Sequence, residues 1–212
     1  MIKKILKENY IYLIVILVLI LLFHFVINSS CYETIISFDN KFFESINDFR
    51  SDFMTVIFRI FTFFGEIYIP LIIIICLFIF KKNKWYSFIQ VGCYAIAGVI
   101  TYASKLLIAR PRPISALIKI PSSYSFPSGH TVTSIVFYVI LIYLLTYYSK
   151  KEVRHSSMFL ASIFALLIAI SRPYLGVHYL SDIIGGMILC IPILLMLRNI
   201  INMNFNKKLS GK

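Results

Sequence analysis

Residues 171–182 read Ser-Arg-Pro-Tyr-Leu-Gly-Val-His-Tyr-Leu-Ser-Asp. The stretch sets Arg172, His178 and Asp182 between two apolar runs, and its reading organises the rest of the chain. His178 and Asp182 are four residues apart. A helix that starts near His178 therefore carries both on one face, about one turn apart. An aspartate so placed accepts the Nδ1 proton of the imidazole. That fixes the tautomer and leaves the Nε2 lone pair free to act as nucleophile or base. Arg172 presents a planar fork of donors suited to phosphate or carboxylate. Boundary charges flanking a turn would also account for Arg172 and Asp182. Three such groups beside hydrophobic spans are costly, however, unless they act together.

Working outward, 59% of the 212 residues are hydrophobic, against about 45–50% in a soluble domain. Apolar runs fall at about 11–27, 61–80, 85–107, 131–148, 158–170 and 183–197. The expectation is an all-α polytopic membrane protein, with six transmembrane helices in a bundle. Residues 1–212 form a single membrane-embedded domain in this reading. The fifth and sixth runs are short, so each borrows residues from 171–182. The first run follows Lys3, Lys4 and Lys7 like a signal peptide. No small-residue cleavage site follows it, so it reads as an uncleaved first span. Between the first two spans, Phe38, Phe42, Phe43, Ile46 and Phe49 recur at helical spacing within an acidic segment. That predicts an amphipathic helix over about 33–52, lying on the membrane surface with no part in chemistry.

Six spans return both termini to one side. Lys3, Lys4, Lys7, Lys81, Lys82, Lys84, Lys150, Lys151, Arg154, Arg198, Lys207, Lys208 and Lys212 all fall on that side. The positive-inside rule makes it cytoplasmic, in the cell membrane. The net charge of +12 is thereby placed without nucleic acid as a partner. Segments 105–130 and 171–182 meet on the outer face. Cys31, Cys76, Cys93 and Cys190 show no paired spacing, so neither a disulfide framework nor a zinc site is implied.

Two further stretches join the first on that face. In Lys105-Leu-Leu-Ile-Ala-Arg-Pro-Arg112-Pro113, Lys105 and Arg112 lie about two helical turns apart. Pro111 and Pro113 interrupt the helix, so Arg112 reaches in from a loop. Snorkelling at a helix end would explain these cations taken alone. In Pro127-Ser128-Gly129-His130, Ser128 is an N-cap and Gly129 lets the backbone approach a ligand. The amides that follow face outward as an anion site. Glu66, inside the second span, is a site residue, a partner of Arg59 or a residue at the membrane interface. The role of Arg110 stays open.

Cations, a helix N-terminus and two histidines around one point suit phosphate. The chemistry is phosphoryl transfer, which rests on positioning and charge stabilisation. One histidine attacks in line and the other protonates the leaving oxygen. The cations do the neutralising, so no cofactor or metal is called for, and no carboxylate cluster is set out to hold magnesium.

Together the three stretches resemble the type 2 phosphatidic acid phosphatase family, which includes bacterial membrane lipid phosphatases. The family pattern is Lys, six residues, Arg-Pro; then Pro-Ser-Gly-His; then Ser-Arg, five residues, His, three residues, Asp. Every position is met, from Lys105 through Arg112-Pro113, Pro127 to His130 and Ser171-Arg172 to His178 and Asp182. The spacing selects Arg112 over Arg110. The resemblance implies that His178 forms a phosphohistidine, Asp182 orients it and His130 is the general acid. It implies that Lys105, Arg112, Ser128, Gly129 and Arg172 hold the phosphoryl oxygens. Vanadate-binding haloperoxidases share a similar pocket, but they are soluble, and the six spans argue against that branch. A pocket between apolar helices suits a lipid phosphate: undecaprenyl pyrophosphate, phosphatidylglycerophosphate or phosphatidic acid. Two alternatives stand beside hydrolysis. One is transfer of the phosphoryl group to another lipid at the same site. The other is a transporter that binds lipid phosphate without hydrolysis.

Overall fold

The computed structural model describes the backbone of residues 2–81 and 84–210 and the side chains of 4–81 and 84–203. Lys82 and Lys212, and the side chains of Lys3, Lys207 and Lys208, all assigned above to the basic side, lie outside the described residues. The described residues form eight helices: α1 (Ile2–Ile27), α2 (Cys31–Asp48), α3 (Asp52–Phe64), α4 (Tyr68–Phe80), α5 (Trp85–Ile108), α6 (Gly129–Leu145), α7 (Lys151–Tyr174) and α8 (Leu180–Ser210).

Helix α6 is the hub, packed by α5, α7 and α8. Its sequence is apolar all round, which is the pattern of a helix enclosed on every side. Val132, Val136, Phe137, Ile140 and Leu144 are accordingly buried. Around this hub α1 lies on α8, α3 on α7 and α4 on α5. Lys105, His130, Arg172 and Asp182 come from the end of α5, the start of α6, the end of α7 and the start of α8. Consecutive helices therefore run in opposite directions, and one end of the bundle collects the motif residues. Gln90 Nε2 donates to the Phe137 carbonyl and the Tyr138 hydroxyl to the Phe64 carbonyl, both at 2.8 Å. These bonds tie α5 and α3 to α6 where no water competes. Outward, Leu17, Leu21 and Phe25 of α1, Ile72, Ile75 and Ile79 of α4 and Val99 of α5 stay exposed. Such a continuous apolar belt suits hydrocarbon rather than water.

The membrane-spanning character holds, but the expected count of six helices needs correction. Among the described residues, α1, α5, α7 and α8 contain stretches long and apolar enough to cross a membrane. A fifth crossing is obtained if α3 and α4, bent by 48° at a short break, count as one span. Helix α6 has 17 residues, about 25 Å at 1.5 Å per residue, short of a ~30 Å hydrocarbon core. It stops at Leu145, before the apolar run does, while residues 109–128 ahead of it are loop and Gly129 lies within the cluster of polar residues. The fifth and sixth runs do borrow from the motif stretch: α7 continues through Arg172 to Tyr174, and α8 opens at Leu180. The amphipathic helix also forms, as α2.

Two glycines permit the closest approaches. A Cβ on Gly185 would stand 2.3 Å from the Phe126 ring, and one on Gly186 3.2 Å from Thr131 Cγ2. This is how the start of α8 reaches the start of α6.

Candidate active site

The start of α8 is set by its own first turn. Asp182 is the third residue of the helix, and its Oδ2 accepts from the backbone N–H of Tyr179 at 2.9 Å. That contact is half of a capping box, and a carboxylate in the first turn also matches the helix dipole. His178 therefore lies just ahead of the helix rather than within it, as the spacing had suggested. The pair still closes, with His178 Nδ1 3.2 Å from Asp182 Oδ2 and both side chains buried. Asp182 is held further by the Ser125 hydroxyl on Oδ2 and by Arg110 Nη1, 2.5 Å from Oδ1.

The tautomer follows from the partners. Arg112 Nη1 lies 3.0 Å from His178 Nε2. An arginine only donates, so Nε2 carries the lone pair and Nδ1 the proton. Burial, opposed by Asp182, pushes the His178 pKa down to about 3, so the ring is neutral at ordinary pH.

Helix α5 ends at Ile108, where Ala109 takes a left-handed conformation (φ 52°) and turns the chain outward. Lys105, in the last turn, donates from Nζ to the carbonyls of Tyr124 (2.5 Å) and Ser125 (3.0 Å). Arg112 comes from the loop, as its prolines require. It donates to the carbonyls of Val177 and Ser123, each at 2.7 Å. Arg172 is buried at the end of α7 and donates from Nη1 to the Thr62 hydroxyl of α3. Its Nε is buried with no hydrogen-bond partner. A charged donor left so is costly in a folded protein, and an anion would satisfy it.

Ser128 caps α6, its Oγ accepting from Thr131 N at 3.4 Å, while its own N–H donates to the Asp182 carbonyl at 3.2 Å. A Cβ on Gly129 would meet Lys105 Cε at 3.9 Å, an ordinary contact. The fold itself therefore tolerates a side chain there. His130 follows, its Nε2 3.2 Å from Glu66 Oε1. Glu66 lies in the break between α3 and α4. Arg59, the alternative partner for Glu66, donates instead to the Leu117 carbonyl. Gly65 makes the approach to His130 feasible, since a Cβ there would stand 2.6 Å from His130 Cδ2.

Every motif residue thus gathers at one end of the bundle. The surface helix α2, expected to have no part there, is anchored to it. Asp39 is buried, pairs with Arg110 Nη2 at 2.7 Å and accepts from Ser181 N and Oγ. One signal was present in the sequence: Asp39 shares the apolar stripe of Ile35, Phe42 and Phe43. Ser125 and Thr62 carried none. Among the described residues, no group of three or more His, Cys, Asp or Glu side chains gathers as a metal site.

Residues 86–206 match the PAP2 superfamily. The chain belongs to the PAP2 superfamily, the type 2 phosphatidic acid phosphatases. Two PAP2 relatives are similar to it in sequence. Phosphatidylglycerophosphatase B of Bacillus subtilis (strain 168) is 34% identical over 122 residues, 56% of this chain and 60% of that protein. Undecaprenyl-diphosphatase of Sulfolobus acidocaldarius is 33% identical over 132 residues, 59% of this chain and 60% of that protein. The chain therefore spans about three fifths of the length of these curated relatives. A crystal structure of a transmembrane PAP2 type phosphatidylglycerolphosphate phosphatase from Bacillus subtilis superposes with a TM-score of 0.78. It covers 90% of this chain and 96% of its own, at 22% identity, and so supports the shared PAP2 fold.

Proposed function

We propose that this chain is an integral membrane lipid phosphatase that works through a phosphohistidine, as a single membrane-embedded domain. The observation that carries the reading is the state of His178. Its Nδ1 is held by Asp182 and its Nε2 lone pair faces Arg112, among three cations. Mere binding of phosphate needs the cations but not an oriented lone pair.

In the proposed reaction the phosphoryl group displaces Arg112 from its direct contact with Nε2. Lys105, Arg112, Arg172 with its free Nε, Ser128 and the amide of Gly129 hold the phosphoryl oxygens. Glycine at 129 leaves room in front of that amide. His178 Nε2 attacks phosphorus, the bond to the leaving oxygen breaks, and His130 supplies the proton to that oxygen. Water then attacks the phosphohistidine, His130 takes its proton, and inorganic phosphate leaves. The charge is neutralised by side chains, so the reaction is expected to proceed without a metal ion.

A lipid phosphate is favoured as substrate because the motif residues gather at one end of an apolar helical bundle. The activities for which the two relatives are named favour phosphatidylglycerophosphate and undecaprenyl pyrophosphate, with phosphatidic acid a third candidate. Lys4, Lys7, Lys81, Lys84, Lys150, Lys151 and Arg154 sit at the helix ends remote from the site, and Arg198 lies in the half of α8 away from it. By the positive-inside rule those ends and both termini are cytoplasmic, and the site faces outward.

The test is phosphate release by purified, detergent-solubilised protein from these three lipids, with EDTA present and His178→Ala as control. Release that the variant abolishes supports the reading. Loss of activity in EDTA, restored by added metal, would contradict the metal-free reaction. Folded protein that releases nothing until an acceptor lipid is supplied would make it a transferase. Binding without either would leave a transporter.

A further inference from the structure

Behind the His178–Asp182 pair runs a buried polar chain through Arg110 and Asp39, neither of which is a motif position. Asp182 Oδ1 accepts from Arg110 Nη1 at 2.5 Å, and Arg110 Nη2 pairs with Asp39 Oδ2 at 2.7 Å. All three side chains are fully buried. Arg110 Nη1 also donates to the Ser181 hydroxyl at 2.7 Å and Nε to the Tyr32 hydroxyl at 3.3 Å. Its guanidinium carbon stacks over Tyr179, 4.2 Å from the ring centroid. Asp39 accepts from the Ser181 amide at 2.9 Å and from its hydroxyl. The guanidinium therefore meets two carboxylates, two hydroxyls and an aromatic face.

We infer that Arg110 and Asp39 are positioning residues for the proposed nucleophile, with Arg110 orienting Asp182 and Asp39 of the surface helix α2 orienting Arg110. The inference rests on the phosphatase reading above. A carboxylate beside a histidine has two ways to fail. It can rotate away from Nδ1, or it can take the proton that Nδ1 should keep. Arg110 opposes both. It fixes Oδ1, so the carboxylate plane is set and Oδ2 is left for His178, Ser125 and the Tyr179 amide. Its positive charge also favours ionised Asp182 as the imidazole gains positive character during attack. A lone arginine in that position would cancel the negative charge that His178 needs. Asp39 supplies the missing charge, so Asp39, Arg110 and Asp182 together carry one net negative charge toward His178. Lysine could not bridge two carboxylates with parallel donors in this way. Helix α2 thus acts on the reaction without touching substrate. It carries Asp39 on its apolar stripe and clamps the first turn of α8 through Ser181.

The test uses the full chain in detergent and reads the His178 tautomer as well as turnover. The protein has four histidines, so ¹⁵N-histidine labelling with His178→Asn as assignment control resolves the ring. Wild type is expected to show a neutral His178 protonated on Nδ1. Arg110→Met is expected to populate the Nε2–H form and to lower kcat about 10- to 100-fold with KM changed less than about twofold. Arg110→Lys should recover only part of the loss. Asp39→Asn, nearly isosteric, should shift the tautomer in the same direction with a smaller loss of kcat, and it decides the question if Arg110→Met does not fold. A folded Arg110→Met or Asp39→Asn protein whose His178 stays wholly protonated on Nδ1 overturns the inference, whatever its activity. A tautomer shift in protein whose wild type releases no phosphate would leave the positioning role standing and remove the phosphatase reading instead.

Discussion

His178 and Asp182 are four residues apart, and their side chains keep 2% and 0% of their exposure, whereas His130 and Glu66 are 64 residues apart and keep 18% and 43%. The first pair is closed by the local geometry of one helix start and then locked by Arg110, Ser125 and the Tyr179 amide. The second is assembled from two distant segments and is held by one contact and the fit of Gly65. Burial that keeps a ring neutral suits a nucleophile, whose lone pair must be available. A half-open pair suits a group that gives up a proton and takes one back from water in each turnover. The two histidine–carboxylate pairs thus differ in enclosure and in how many partners hold them, a difference that suits the two tasks proposed above.

The largest test of this contrast is on the locked side. His178→Ala is expected to lower turnover by about 10⁴-fold or more while the protein stays folded, and Asp182→Asn to come close to it by favouring the wrong tautomer. Acid-quenched protein should carry labelled phosphate in wild type and none in His178→Ala; labelled His178→Ala would place the nucleophile elsewhere. Next, His130→Ala should cost about 10²- to 10⁴-fold with a lipid substrate. The cost should be much smaller with p-nitrophenyl phosphate, whose leaving group needs no proton. Equal losses on both substrates would remove the general-acid role.

Glu66→Gln sharpens the comparison further. It should lower lipid turnover by about 10-fold, again more than turnover of the activated ester, and leave the His178 tautomer unchanged. Gly65→Ala should act in the same sense through the ring it pushes against; a variant matching wild type on both esters would show that the His130 ring position is unimportant.

A further effect, on stability rather than turnover, concerns acid. The folded-state pKa of His178, about 3, lies below its ordinary value of about 6.5. The neutral ring therefore stabilises the fold fully above pH 6.5, and that contribution is lost as pH falls toward 3. Thermal stability of His178→Asn should fall less steeply than wild type between pH 6.5 and 4, by at most about 1.4 kcal/mol per pH unit. Parallel curves would mean that His178 is not buried neutral.

Much of this was legible because it is local. Apolar runs marked the membrane helices, since backbone in hydrocarbon must satisfy its own hydrogen bonds. The i, i+4 spacing of His178 and Asp182, the cap at Ser128 and the prolines that take Arg112 off the helix each depend on a few neighbouring residues. Length rules alone misjudged α6, because a helix enclosed by protein need not match the hydrocarbon thickness that defines an isolated span. They also did not foresee that α3 and α4 would break at Gly65 to set Glu66 against His130.

By itself, then, the sequence determined the class of fold, the motif residues and the pairing of His178 with Asp182, since composition and short spacings encode all three. Only the tertiary structure decided the partners of Arg110, Asp39 and Glu66. Asp39 and Arg110 are 71 residues apart and meet only when α2 lies against the start of α8. Arg110 and Asp39 each sit where an unpaired charge would be costly. The requirement that a buried charge find a partner is general, but which partner it finds depends on how the helices pack.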